Sequence, residues 1–217
     1  MSSVPALDSA AVRWSAAPAE RAGRPLLVMM HGYGSDENDL FALAPHLPAE
    51  YVVAAVRAPL TPPFPTPGWS WYPIEGLNGR DPQAATASAR ALTEWIDAER
   101  GDAASVGLLG FSQGGLMALE ALRLRPHDYA FAVNLSGYAN PGDLDTDAEL
   151  AQRRPPVFWG RGALDDVIPP ALVAITAQWL PGRVDLSGRV YPDLGHAVSA
   201  EELRDVATFL HKQLPSA

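Results

Sequence analysis

Gly110-Phe111-Ser112-Gln113-Gly114 stands between an apolar run, residues 106–109, and the helix-prone stretch Leu116-Met117-Ala118-Leu119-Glu120-Ala121-Leu122. A serine held at a sharp turn between a buried strand and a helix has the form of a nucleophile elbow. Gly110 and Gly114 leave out the side chains that would clash there, and Ser112 comes to lie under the positive end of the following helix. The plainer alternative is a glycine-rich turn whose serine only caps a helix. Strand and helix signals on both sides favour the elbow.

On either side of this stretch further short apolar runs occupy residues 26–30, 51–56, 131–135 and 157–159, and Val190-Tyr191 ends a weaker one. Continuous apolar runs of this length predict strands buried on both faces. Helical spacing predicts helices over 83–100, 116–124, 171–180 and 200–214. In the first of these Ser88, Ala91, Leu92, Trp95 and Ile96 share a face, and in the last Leu203, Val206, Ala207 and Leu210 do. Alternation of such strands and helices implies an α/β fold, a mostly parallel central sheet with helices on both faces and no large cap domain. In such sheets functional groups collect at the carboxyl ends of the strands. His31-Gly32, Ser112, Ser136-Gly137, residues 162–166 and His196 all follow apolar runs, so all are expected along that one edge.

The 217 residues suit a single domain, 1–217, with residues 1–20 as a loosely attached N-terminal segment. A formal charge of −9 makes nucleic acid and anionic lipid surfaces unfavourable partners. No apolar run approaches a membrane span and no secretory signal opens the chain, so the expectation is a cytoplasmic protein without integral membrane association, a monomer or homodimer. The absence of cysteine removes disulfides, thiolate zinc sites and a cysteine nucleophile together.

Two long connections stand out. Residues 58–82 hold seven prolines and the aromatics Phe64, Trp69, Trp71 and Tyr72, which are expected to wall an apolar substrate groove; an extended loop packed flat on the sheet edge is the alternative. Residues 138–156 are polar, with Asp143, Asp145, Asp147 and Glu149, and read as a solvated acidic loop or a mobile flap.

A serine nucleophile needs a base, and the base needs an acceptor that holds its tautomer. With the chain order serine, acid, histidine, the candidates for the base are His127, His196 and His211. His196 fits best: it follows an apolar run in the turn-like Asp193-Leu194-Gly195-His196-Ala197 and precedes the last helix. His127 lies in a polar turn beyond the elbow helix, and His211 lies on the last helix beside Lys212. For the acid, Asp165 is preferred to Asp166, because the apolar Val167 and Ile168 bury the turn while Asp166 is placed to cap the helix near Pro170; the exchanged assignment is the alternative. An oxyanion requires two aimed backbone donors, for which the N–H groups of Gln113 and of Tyr33, between Gly32 and Gly34, are the fitting pair.

His31-Gly32-Tyr33-Gly34-Ser35-Asp36-Glu37-Asn38-Asp39-Leu40, Trp71-Tyr72, Gly110-Phe111-Ser112-Gln113-Gly114-Gly115, Leu135-Ser136-Gly137-Tyr138, Asp165 and Gly195-His196 occur in that order across residues 25–212. Together they resemble the signature segments of the phospholipase/carboxylesterase family of α/β-hydrolases, which includes acyl-protein thioesterases. The resemblance implies an α/β-hydrolase fold and a cofactor-free, metal-independent serine hydrolase acting on small-molecule or lipid-like carboxylic esters, with lysophospholipids and acyl thioesters as related substrates. It carries nucleophile, acid and base to Ser112, Asp165 and His196, and the oxyanion donors to Tyr33 and Gln113. Pro73 departs from the family pattern, where an acidic residue often follows the Trp71-Tyr72 pair, and bears on the shape of the groove. A serine peptidase, an acyltransferase and a catalytically silent binding protein are the competing readings. Asp36-Glu37-Asn38-Asp39 lacks the glycine and late glutamate of a calcium loop and reads as the first turn of a helix.

Overall fold

The computed structural model describes residues 4–75 and 79–214. In chain order the elements are β1 (Arg13–Trp14), β2 (Leu26–Met30), α1 (Glu37–Phe41), β3 (Val52–Val56), β4 (Ile74–Glu75), β5 (Gly79–Arg80), α2 (Pro82–Glu99), β6 (Val106–Phe111), α3 (Gln113–Leu124), β7 (Phe131–Leu135), α4 (Asp147–Arg153), β8 (Pro156–Gly162), α5 (Pro170–Trp179), β9 (Asp185–Tyr191) and α6 (Ala200–Lys212). Seven strands form one sheet in the order β1-β3-β2-β6-β7-β8-β9, parallel except for β1, and β4 and β5 form a separate antiparallel pair.

The apolar runs are continuous because both sheet faces are covered. Leu26, Val28 and Met30 of β2 face a core closed by α2, α3 and α5, whereas Leu27 and Met29 of the same strand face a second core closed by α1 and α6. Period-two alternation thus sends the side chains of the five inner strands, β3, β2, β6, β7 and β8, into two separate apolar layers. On α6 the inward residues include Phe209 and Glu202 as well as Val206 and Leu210, while Ala207 is only partly covered.

Three expectations change. The N-terminal segment is not loosely attached from Leu7 onward: Leu7 is buried, Arg13 and Trp14 pair with Ala55 and Ala54, and the Arg21 guanidinium lies 3.7 Å from the Trp14 ring centroid. The stretch 138–156 is not loop throughout: it contains α4, and Asp143, Asp145 and Glu149 are exposed on it as expected. Its anchor is Arg123, only 2 % exposed, which donates to both carboxylate oxygens of Asp147 and to the carbonyls of Asn140 and Gly142. Burial pushes the Asp147 carboxyl up, but its bonds from Arg123 prevail and hold it below the usual carboxylate value. Asp166 is exposed and does not cap α5, which begins at Pro170 without any side-chain cap.

Candidate active site

The strands β2, β6, β7, β8 and β9 all end at the same edge, and the segments that follow them meet there. Ser112 joins β6 to α3 with φ 55° and ψ −116°, a left-handed conformation that costs an L-residue about 1–3 kcal/mol. The turn closes because glycines surround it. A Cβ on Gly110 would fall on the Gly114 carbonyl, and one on Gly114 would fall on the Met30 carbonyl. The elbow is thereby pinned against β2, with the Ser112 N–H donating to the Leu135 carbonyl at 2.8 Å.

His196 reaches this serine from the loop between β9 and α6. Its Nε2 lies 2.9 Å from Ser112 Oγ and its Nδ1 lies 2.7 Å from Asp165 Oδ2. The other carboxylate oxygen of Asp165 accepts the N–H groups of Val167 and Ile168 at 3.0 and 3.1 Å, which fixes the carboxylate within its own turn. Asp165, not Asp166, therefore contacts the imidazole. Gly162 makes the juxtaposition possible, since a Cβ there would strike the carbonyl of Leu194, and Leu164 N–H donates to that same carbonyl at 2.9 Å. The Phe111 ring packs against the imidazole with centroids 4.9 Å apart. His127 lies elsewhere, 2.9 Å from Glu149, and His211 sits exposed on α6.

Tyr33 and Gln113 flank the serine, and neither backbone N–H has an acceptor among the described residues. Both belong to one hydrogen-bonded frame. Gly34 N–H donates to the Trp69 carbonyl and Trp69 N–H donates to the Ser35 carbonyl, at 2.9 and 2.8 Å. The Gln113 side chain accepts from Trp71 N–H at 2.8 Å and donates to the Tyr72 carbonyl at 2.7 Å. Trp71 Nε1–H in turn donates to the His31 carbonyl at 2.9 Å. His31 itself is buried, with Nδ1 2.7 Å from the Gly32 carbonyl and Nε2 accepting Ala58 N–H at 3.1 Å. Those partners define the neutral Nδ1–H tautomer, and burial holds the imidazole below its ordinary pKa.

The groove expected from Phe64, Trp69, Trp71 and Tyr72 needs correction. Trp71 is fully buried as a beam beneath the Tyr33 loop, Trp69 lies under the Arg57 guanidinium, and Phe64 is 97 % exposed. Of the four, only Tyr72 borders the cavity of about 310 Å³ into which Ser112 and His196 open. Ile74, Tyr138, Val167 and Ile168 complete its apolar side, with Arg80 at its border. A second cavity of about 280 Å³ adjoins it, bordered by Tyr72, Arg80 and Tyr138 and lined beyond them by Ala85, Leu116 and Leu172. Tyr72 and Tyr138 meet hydroxyl to hydroxyl at 2.8 Å between the two spaces, and burial raises the pKa of both phenols.

One buried acid was not legible. Glu202 on α6 is fully buried with its carboxylate turned toward the Ser199 backbone at the helix start, and the missing side chain of Gly160 makes room for one of its oxygens. Burial pushes this carboxyl up to about 7.

Comparison with known proteins agrees with this architecture. The phospholipase/carboxylesterase family model matches residues 14–214. Acyl-protein thioesterase 1 of Saccharomyces cerevisiae is 32 % identical over 111 residues, 49 % of each chain. Esterase YpfH of Escherichia coli is 24 % identical over 207 residues, covering 90 % of this chain and 86 % of its own. The crystal structure of esterase PE8 superimposes with a TM-score of 0.76 and 27 % identity, over 93 % of this chain and 98 % of that one. The chain spans about half the length of the yeast thioesterase it matches.

Proposed function

Because the chain belongs to the phospholipase/carboxylesterase family and has the α/β-hydrolase fold, we propose that it is a serine carboxylesterase working through an acyl-enzyme. The observation that carries this reading is the unbroken chain of contacts Asp165–His196–Ser112, at 2.7 and 2.9 Å. In the proposed cycle His196 Nε2 takes the Ser112 proton as Oγ attacks the ester carbonyl. Asp165 holds the Nδ1–H tautomer and stabilises the imidazolium. The N–H groups of Tyr33 and Gln113 receive the oxyanion, a pair of donors of which each contributes about 10²–10³ in turnover. The alcohol leaves with the proton from His196. Water, deprotonated by the same imidazole, then releases the acid.

The small cavity closed by Tyr72 and Tyr138 supports acyl groups of small to medium length. Rates on p-nitrophenyl esters of increasing acyl length test this, with a peak at short to medium chains as the expected profile and a monotonic rise toward long chains as the contradiction. Replacing Tyr138 by Ala joins the two cavities and is expected to move the peak to longer chains. Full esterase activity in Ser112→Ala would remove the nucleophile from the scheme.

Thioester hydrolysis is the second reading, favoured by the likeness to acyl-protein thioesterase 1. The same triad and oxyanion donors serve it, so matched oxygen esters and thioesters of one acyl group measure the preference.

A further inference from the structure

The two edges of the sheet are unlike. One edge is the two-residue strand β1, while the other, β9, runs for seven residues, Asp185-Leu186-Ser187-Gly188-Arg189-Val190-Tyr191. Exposed edges are usually blunted by shortness, proline, charged side chains or a bulge. β9 has no proline and no bulge, pairs with β8 residue for residue from Pro156↔Asp185 to Gly162↔Tyr191, and carries two charges of opposite sign, Asp185 and Arg189. Val190 is 53 % exposed upon it.

The hydrogen-bond phase of β9 determines which backbone groups point outward. Asp185 N–H donates to the Pro155 carbonyl and the Tyr191 carbonyl accepts from Ala163 N–H, so residues 185, 187, 189 and 191 bond inward to β8. Alternation leaves the N–H and C=O groups of Leu186, Gly188 and Val190 facing out. The Gly188 carbonyl takes one bond from the Arg189 side chain, at 2.9 Å, and retains its second lone pair.

From this phase and the charge pattern we infer that β9 is a homodimerisation edge, taking β9 of a second copy antiparallel about a two-fold axis at Ser187. In that register Leu186 lies opposite Gly188 of the second copy and exchanges both backbone bonds with it, twice across the axis. The intervening residues form the close pairs in which side chains touch, and these place Asp185 opposite Arg189 of the second copy, again twice. Sliding by two residues either way destroys the match. One slide sets Asp185 against Tyr191 and Arg189 against Ser187; the other sets Arg183 against Arg189. Asp185, Ser187 and Arg189 all border the groove between β9 and α6, where the Arg189 guanidinium lies 3.8 Å from Asp205, so the charged pairs form on that face. An opposite-charge pattern that reads the same from both ends is what an isologous contact requires.

Light scattering coupled to gel filtration, from low micromolar to near-millimolar protein, tests the proposal. The expected result is a concentration-dependent rise toward twice the 23.1 kDa chain mass. Asp185→Arg and Arg189→Asp each place like charges opposite one another at both pairs and should weaken dimerisation about tenfold or more. An equimolar mixture of these two variants restores opposite charges at both pairs and should dimerise again, as should the double exchange in one chain. Circular dichroism melts establish that each variant is folded. A wild-type chain that stays monomeric throughout, or a dimer indifferent to both single variants, overturns the proposal.

Discussion

The elbow around Ser112 and the connection around Trp69–Tyr72 both frame the pocket proposed for a developing oxyanion, yet they are held by different means. The elbow is fixed locally: glycines within a few residues let backbone press on backbone, and the strained serine is held between β6 and α3. The connection is fixed from a distance. Its Trp71 hangs between the Gln113 side chain, 42 positions later, and the His31 carbonyl, 40 positions earlier. Local packing of main chain tolerates no added atom, whereas a hydrogen-bonded beam can lose one contact and sag.

The largest effect should come at Asp165, the acid of the proposed triad. Asp165→Asn keeps the shape but favours the wrong imidazole tautomer, and kcat is expected to fall about 10⁴-fold with little change in melting temperature. A fall of less than tenfold would show that the carboxylate contact at 2.7 Å is structural. Gly110→Ala probes the rigid region, where the added methyl meets the Gly114 carbonyl. It should cost about 3 kcal/mol or more in urea unfolding, and an unchanged midpoint would break the contrast between the two regions.

Glu202 is a third kind of feature, a buried carboxyl beneath β8 whose desolvation outweighs its contact with the Ser199 backbone. Its pKa is raised from 4.5 to about 7 on folding, so the folded state binds the proton more tightly. The stabilisation is complete below pH 4.5 and is lost as pH rises through 7, a difference of about 3 kcal/mol. Glu202→Gln, which does not titrate, should gain stability relative to wild type across that interval and hold the gain above it. Parallel stability curves for the two proteins would contradict the assignment. The smallest effect is expected in the beam: Trp71→Phe removes the donor to the His31 carbonyl, costing about 1 kcal/mol. It should lower kcat more than it raises KM, since the Tyr33 loop loses support while the cavity wall remains.

The same contrast explains what could be read from the residues alone. The parallel strands and the main helices were legible because their apolar spacing is local, as in Leu26–Met30 and Pro82–Glu99. The contact partners Ser112, His196 and Asp165 were legible because each sits just beyond a strand and the hydrolase chain order left few choices. The groove was not. Trp71 looks like a wall in sequence because nothing near it shows that Gln113 and His31 draw it inside. Arg123 likewise organises α4 through Asp147, 24 positions away, and composition described that stretch only as acidic. Glu202 was hidden by its setting on an otherwise charged helical turn; only the missing side chain at Gly160 makes room for it.

In the proposed mechanism Ser112 attacks through His196. Labelling the wild-type chain and His196→Ala with a fluorophosphonate probe, followed by peptide mass spectrometry, decides between this and any other nucleophile. A single adduct is expected on the peptide carrying Ser112 in the wild type and almost none in the variant. An adduct on a different residue, or esterase activity that persists with Ser112 unlabelled, would contradict it.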